Sequence, residues 1–240
     1  MDGKKPLYSI LITTYECHGH GVQFIKENLN AIVSQTYRPI QVVVSDHSRD
    51  DAIEQAVSAI DTSGVEIIYK RYTEHYGSPC HNWNNALLYA TGDYLHYFAL
   101  DDRLRDENTV GDIVTYAENN RGSRWFATGN IVEPRGSVLI PSWNDTILSK
   151  NTLSGPSAIV LRKDLRHVQL DPTFIYFLDL DWYYRLYKEA GVPNCIKRIC
   201  WINRFGTHNL STTICTSQRV NEERKLLIAK YGDPLPRSPA

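Results

Sequence analysis

Apolar residues fall in two rhythms along this chain. Four nearly unbroken runs, "LYSILITTY" (7–15), "IQVVVSD" (40–46), "VEIIYK" (65–70) and "YLHYFAL" (94–100), have the length and the β-branched or aromatic content of strands. Between them the spacing turns helical. In "QFIKENLNAIVSQ" (23–35), Phe24, Leu29, Ile32 and Val33 share roughly one face. "DDAIEQAVSAI" (50–60) predicts a helix with acids at its start, where they suit the macrodipole, and "NWNNALLYATG" (82–92) predicts a short helix stopped by Gly92. Strand and helix alternating over short links is the signature of a doubly wound, mostly parallel α/β sheet. Near-continuous apolar strands agree, because such sheets are covered on both faces.

The rhythm changes after about residue 120. "RWFATGNIVEP" and "GSVLIPSW" predict a hairpin, "SAIVLRK" (157–163) a strand, "FLDLDWYYRLYKEAG" (177–191) a helix and "NCIKRICWINR" one more strand. A last amphipathic helix, "SQRVNEERKLLIAKYG" (217–232), precedes a Pro-rich tail. No internal repeat, low-complexity block or linker interrupts this order. Residues 1–240 therefore read as one domain, with a nucleotide-binding-like half (7–120), a smaller mixed half (121–215) and a C-terminal helix and tail (216–240).

Composition changes this picture little. A chain 42% hydrophobic and 22% charged is an ordinary globular protein, and a net charge of −1 supplies no field to gather nucleic acid. Five cysteines without a CxxC pair read as packed, reduced thiols, and their spacing gives no support to a zinc site. The opening Met-Asp-Gly-Lys-Lys-Pro has no signal-peptide apolar region behind it, and no run reaches the ~20 apolar residues that span a bilayer. A cytoplasmic location is expected. The last helix, with Lys225, Leu226, Leu227, Ile228 and Lys230, offers either a contact with the inner face of a membrane or a partner, or a lid on the core.

The candidate chemistry sits at strand ends. Open α/β sheets bind ligands in the crevice at the carboxyl ends of their strands. Those ends are Thr13-Thr14-Tyr15, Asp46 and Asp101-Asp102. Two adjacent carboxylates closing an aromatic strand suggest that something cationic is held there. The plainer alternative for Asp46 and Asp102 is capping of the helices that follow.

The order of these pieces resembles a family 2 glycosyltransferase of the GT-A fold. "YSILITTYECHGHGVQFIKENLNAIVSQTYRPIQVVVSDHSRDD" is similar to the family's opening, with "SQTY" (34–37) closing the first helix and "SDHS" (45–48) in the slot of Asp-Asp-Gly-Ser. "SPCHNWNNALLYATGDYLHYFALDD" (78–102) resembles the next block, ending in the Asp-x-Asp region. "SGPSAIVLRK" (154–163) and "FLDLDWYYRL" (177–186) resemble the acceptor-side blocks. The likeness runs in order over roughly residues 7–210, and the combination is specific where no single block would be. Ser45 and His47 replace the usual Asp and Gly of Asp-Asp-Gly-Ser, and two departures fall at functional positions: Ala99 stands where Asp-x-Asp-Asp begins, and Leu178 replaces the Glu of Glu-Asp.

The resemblance implies an inverting enzyme that moves a sugar from a nucleotide diphosphate donor (UDP-, dTDP- or GDP-linked) to a saccharide or lipid-linked saccharide, as in polysaccharide assembly. It implies Mn²⁺ or Mg²⁺ as cofactor, held by Asp101 with Asp102, with His208 of "RFGTHNLS" as a further ligand or a diphosphate contact. Thr14, Tyr15, Glu16 and Asp46 would line the nucleotide pocket together with Asp101, Asp46 accepting from the imide of uracil or the amide edge of another base. Asp179 takes the slot of the catalytic base. Asp181 is the alternative, or else a first-turn acid favoured by the helix dipole. Tyr176, Phe177, Trp182 and Tyr183 form either a sugar-stacking wall or core.

Other α/β enzymes fit less well. GxGxxG and GxxxxGK[ST] are both absent, which argues against nicotinamide and P-loop chemistry. A catalytically impaired sugar-binding relative remains the alternative reading, because Ala99 and Leu178 are departures at two functional positions.

Overall fold

In a computed structural model, which describes residues 4–213 and 215–232, the four apolar runs form strands of one sheet. The first half runs β1 (Tyr8–Thr14), α1 (Gly21–Val33), β2 (Ile40–Asp46), α2 (Ala52–Ser58), β3 (Glu66–Arg71), α3 (Pro79–Tyr89) and β4 (Tyr94–Ala99). Then come β5 (Asp102–Leu104), α4 (Thr109–Asn119), β6 (Trp125–Glu133), β7 (Ser137–Leu139), β8 (Ile159–Arg162), α5 (Leu178–Ala190), β9 (Asn194–Arg204), α6 (Leu210–Thr213) and α7 (Ser217–Tyr231).

The sheet holds nine strands among the described residues, in the order β3-β2-β1-β4-β8-β6-β9-β5, with β7 paired to β6. From β3 to β4 every pairing is parallel. Beyond β4 the sheet is mixed, since β8 runs antiparallel to both β4 and β6 while β9 runs parallel to β6. The expected hairpin is β6 with β7.

Burial explains the first half. All seven residues of β2 are buried, and Ile10, Leu11 and Ile12 of β1 are inaccessible. Each fully buried aliphatic side chain contributes about 1.5–3 kcal/mol relative to exposure. A charged residue at Val43, in the middle of β2, is the single change expected to break this sheet. Register then places the site: Thr14 pairs with Asp46 and Thr13 with Ala99, so the three central strands end level on one rim.

Some expectations move. The helix expected over 82–92 is Pro79–Tyr89, because Ser78 accepts from the His81 amide and Pro79 opens the first turn. Elements β5 and α4 lie outside the sequence reading. β5 has only three residues, and α4 carries Gly111 in its interior. The capping alternative fails for both strand-end acids. Asp102 opens β5, not a helix, and α2 begins only at Ala52, six positions beyond Asp46. Among the described residues no helix is long and apolar enough to cross a membrane.

Candidate functional site

A cavity of about 240 Å³ opens where the carboxyl ends of β1 and β4 meet the start of α3 and the segment around His208. Of the residues singled out from sequence, Thr13, Tyr15, Asp101 and His208 line it. Thr14 is buried one residue behind the wall, and its carbonyl accepts from His47 N (2.9 Å) and Asn82 Nδ2 (3.3 Å). Glu16 stands at the rim, accepting from the Arg49 amide (2.7 Å) and from the hydroxyl of Tyr76 (3.2 Å).

The turn after β1 is fixed by a close backbone approach. A Cβ on Gly21 would lie 2.4 Å from the Tyr15 carbonyl, so only glycine lets α1 start directly beneath this turn. Cys17 and His18 follow at φ 48° and 52°, in the left-handed region where side chains are unfavourable. Burial pushes the Cys17 thiol up to about 11, with the Asp101 charge adding to it, so this thiol stays protonated and unreactive.

Asp101 lies in the two-residue link between β4 and β5. Asn209 donates Nδ2 to its Oδ2 at 2.6 Å, and His208 Nε2 stands 3.9 Å away. Asp102 is 3% exposed and accepts from Asn203 Nδ2 at 2.8 Å, across the β5–β9 pairing. Burial raises the pKa of both carboxyls, and the Asp101 charge raises Asp102 further. Two adjacent carboxylates held largely by neutral amides favour a cation, which fits the residue types that bind Mg²⁺ or Mn²⁺. Among the described residues no three His, Cys, Asp or Glu side chains gather into a metal-holding group, so most ligands of such an ion would come from phosphate and water. His208 sends Nε2 to the Arg204 carbonyl at 3.0 Å. A ring nitrogen facing a carbonyl carries the proton, so Nε2 is taken up by Arg204 and is not free to ligate a metal.

Asp46 is not on the cavity wall. Its side chain is fully buried, with Oδ1 accepting from the Ser48 amide (2.8 Å) and Oδ2 from the Tyr69 hydroxyl (2.6 Å), and with Arg71 Nε at 3.7 Å. It braces the β2–β3 rim, and the neighbouring His47 reaches the cavity in its place.

The acids of α5 separate. Asp179 is partly exposed; its Oδ2 accepts from Asn151 Nδ2 (2.6 Å) and its Oδ1 from the Leu180 amide (2.8 Å). Burial outweighs these bonds and pushes its pKa up to about 7. Asp181 is inaccessible and clamped by Arg185 (2.8 Å), Lys230 (2.7 Å) and the Tyr231 hydroxyl (2.6 Å). That ties α5 to α7 and leaves no free oxygen for an acceptor, so the candidacy of Asp181 as base is corrected to a structural role. Phe177, Trp182 and Tyr183 are core, with the Trp182 indole donating to the Val168 carbonyl and the Tyr183 hydroxyl to that of Ser154. Of the four aromatics only Tyr176 is exposed. Leu178, in the slot of the Glu, is also core.

Sequence reading missed several residues at this site: His47, Tyr76, Asn82 and Trp83 on the cavity wall, Asn151 on Asp179, and Asn209 on Asp101. The signals were present in part. His47 is itself a departure inside "SDHS", and "HNWN" puts polar and aromatic residues at a helix start facing a strand rim. Nothing local marks Asn151 or Asn209, which arrive from distant segments.

Comparison with known proteins agrees with this geometry. The family model "Glycosyl transferase family 2" matches residues 9–134, more than half of the chain. An uncharacterized glycosyltransferase of Rickettsia bellii (strain RML369-C) is 23% identical over 202 residues, which are 78% of this chain and 28% of that protein. Among solved structures, S. aureus TarS 1-349 is similar with a TM-score of 0.71 at 16% identity, covering 93% of this chain and 64% of that one. The mannosyltransferase PcManGT from Pyrobaculum calidifontis, in complex with GDP-Man and Mn²⁺, gives 0.69 at 17% identity, covering 99% and 67%. At such identities the structures speak to the fold alone, which is the GT-A type. The chain thus spans 28% of the length of its curated relative and under two thirds of TarS 1-349. With a matching family model over its first half and a GT-A sheet around the rim that carries Asp101, this chain belongs to glycosyl transferase family 2.

Proposed function

We propose that this chain transfers a sugar from a nucleotide diphosphate donor to a hydroxyl acceptor, with inversion at the anomeric carbon. The observation that carries this reading is the half-buried Asp101 just past the tip of β4, which lines the cavity beside Tyr15 and His208 with the buried Asp102 directly behind it. Structural neighbours support a nucleotide-sugar donor: TarS is solved with UDP-GlcNAc and PcManGT with GDP-Man, so both a uridine and a guanosine donor occur among them.

In this reading Asp101 holds the divalent ion, and Asp102, turned toward Asn203, fixes the loop beneath it. When bound, Mn²⁺ or Mg²⁺ neutralises the leaving diphosphate as a Lewis acid. His208, its Nε2 held by the Arg204 carbonyl, forms part of the wall of the diphosphate pocket beside Asp101. Tyr15 lines the nucleoside pocket, with Thr14 and Glu16 holding its wall and rim and Asp46 bracing it from behind. Asp179, with a pKa of about 7, is the general base. It takes the proton of the acceptor hydroxyl as that oxygen attacks the anomeric carbon, from the face opposite the departing diphosphate. Asn151 aims its carboxylate. Polysaccharide or glycoconjugate assembly is the role we propose for such a transfer, with a saccharide or lipid-linked saccharide as acceptor.

The test is a panel of UDP-, dTDP- and GDP-sugars with Mn²⁺ or Mg²⁺, read as nucleoside diphosphate release with and without saccharide acceptors. Release that needs both metal and acceptor supports transfer. Binding of a nucleotide sugar without any release would instead support a catalytically impaired relative, a reading that the buried Leu178 in the slot of the Glu favours.

A further inference from the structure

Phe177 stands at the cap position of α5, and its core side chain offers no oxygen to the helix start. The chain leading into the helix is gathered instead by a carboxylate from α7. Glu223 Oε2 accepts from the amides of Ile175 (3.1 Å), Tyr176 (2.8 Å) and Phe177 (3.1 Å), and Oε1 shares the Ile175 amide at 3.1 Å. Glu223 is only 4% exposed. A buried carboxylate is costly unless its oxygens are hydrogen-bonded, and here three consecutive amides meet that need. Its charge also suits the positive end of the α5 dipole.

One helix thus holds α5 in two places. Two turns beyond Glu223, Lys230 and Tyr231 bind Asp181 at 2.7 and 2.6 Å. Asp179 lies between the two holds, two residues after Phe177 and two before Asp181. The holds differ in kind. Lys230 and Tyr231 neutralise a buried charge, whereas Glu223 fixes backbone. Amides bound to one carboxylate leave residues 175–177 a single path into the first turn. That path sets where the Asp179 carboxylate stands against Asn151, its partner at 2.6 Å.

We infer that Glu223 is a positioning residue for the general base: by gathering the amides of residues 175–177 it aims Asp179 at the acceptor hydroxyl. This rests on the proposed reading of Asp179 as the base. Without Glu223 three amides lose their acceptor, the lead into α5 opens, and Asp179 shifts from Asn151. The donor cavity keeps its shape, because none of the described residues of α5 or α7 lines it.

The test uses the full chain with Glu223→Ala, Glu223→Gln, Asp179→Asn and each Glu223 change combined with Asp179→Asn. Nucleoside diphosphate release is followed with the donor and acceptor pair active in the panel above, at temperatures where circular dichroism shows each variant folded. Glu223→Ala should lower kcat by about 10–100-fold, the scale of displacing a reacting group by about 1 Å, while calorimetric donor affinity holds. Glu223→Gln should cost less, since its amide oxygen still accepts. In the Asp179→Asn background neither change should slow transfer further, because nothing is left to aim. A merely stabilising Glu223 would lower the melting temperature and leave kcat of the folded variants unchanged. That result, donor affinity falling in step with kcat, or a loss that multiplies with that of Asp179→Asn would each overturn the inference. Where Glu223→Ala does not fold, Glu223→Gln decides by the same criteria. If Asp179→Asn itself leaves kcat unchanged, the base assignment fails and Glu223 has nothing to position. If no pair in the panel releases nucleoside diphosphate, the proposed function fails, and this inference with it.

Discussion

Two pairs of acids look alike in the sequence and end in opposite situations. Asp101 and Asp102 close β4 with mostly neutral amide partners, both raised by burial. Asp179 and Asp181 open α5, and there the pair divides. Asp179 keeps only neutral amide partners and is pushed up to about 7, while Asp181 is neutralised by Arg185 and Lys230 and held by Tyr231. A carboxylate supplied with cations by the fold is structural, and one denied them is available for chemistry. These two electrostatically unsatisfied places are the ones that the proposed transfer would use, one for a metal and one for a proton.

Substitutions should separate these roles, and the largest effect belongs to Asp179. Asp179→Asn keeps the shape and removes the basicity, so turnover should fall by about 10²–10⁴ with donor affinity near wild type. In the proposed mechanism the active form of Asp179 is the carboxylate, so kcat should climb with pH and level off above about 7. A flat profile between pH 5 and 8, measured on about that range, would remove Asp179 from the base role.

Asp181→Leu should act on stability instead. It leaves Arg185 and Lys230 without their buried partner, which costs about 3 kcal/mol; this is the low end of the range for broken buried pairs, because both cations reach solvent. Urea denaturation measures this. A loss of turnover with unchanged stability would return Asp181 to the catalytic candidates.

Asp101→Ala should abolish the Mn²⁺ dependence of nucleotide diphosphate binding and slow transfer by about 10²–10³, the scale of losing one electrostatic stabiliser. Calorimetry with metal or with chelator reads the first part, and equal affinities in both conditions for the wild-type chain would end the metal assignment. The smallest effect is that of Asn151→Leu. Its amide favours the charged form of Asp179, so without it the pKa rises and the acid limb of the pH–rate profile moves to higher pH. A limb that stays in place would mean that Asn151 does not touch the working base.

Much of the fold could be read in the order of apolar runs. Strand β2 is found over the residues expected, and β1, β3, β4 and α5 within a residue or two at each end, because long apolar runs with a clear period leave few other ways to pack them. Short or glycine-bearing elements such as β5 and α4 carried no comparable signal. For the site, Tyr15 and Asp101 can be read onto what is the cavity wall because strand ends in a parallel sheet share one rim, while His208 is reached only through the family resemblance. The same rule misplaces Asp46, whose partners Tyr69 and Arg71 come from β3, a strand away.

The sequence by itself determined the α/β alternation, the rim and the residue types available there, because these depend on periodicity and on neighbours within a few positions. Only the tertiary structure decided which acid meets which partner. Asp181 is neutralised by Lys230, 49 residues on, and Asp101 is held by Asn209, 108 residues on. The charge state of a carboxylate follows from the dielectric and the donors within a few ångströms, and those are supplied by segments whose proximity no local pattern records.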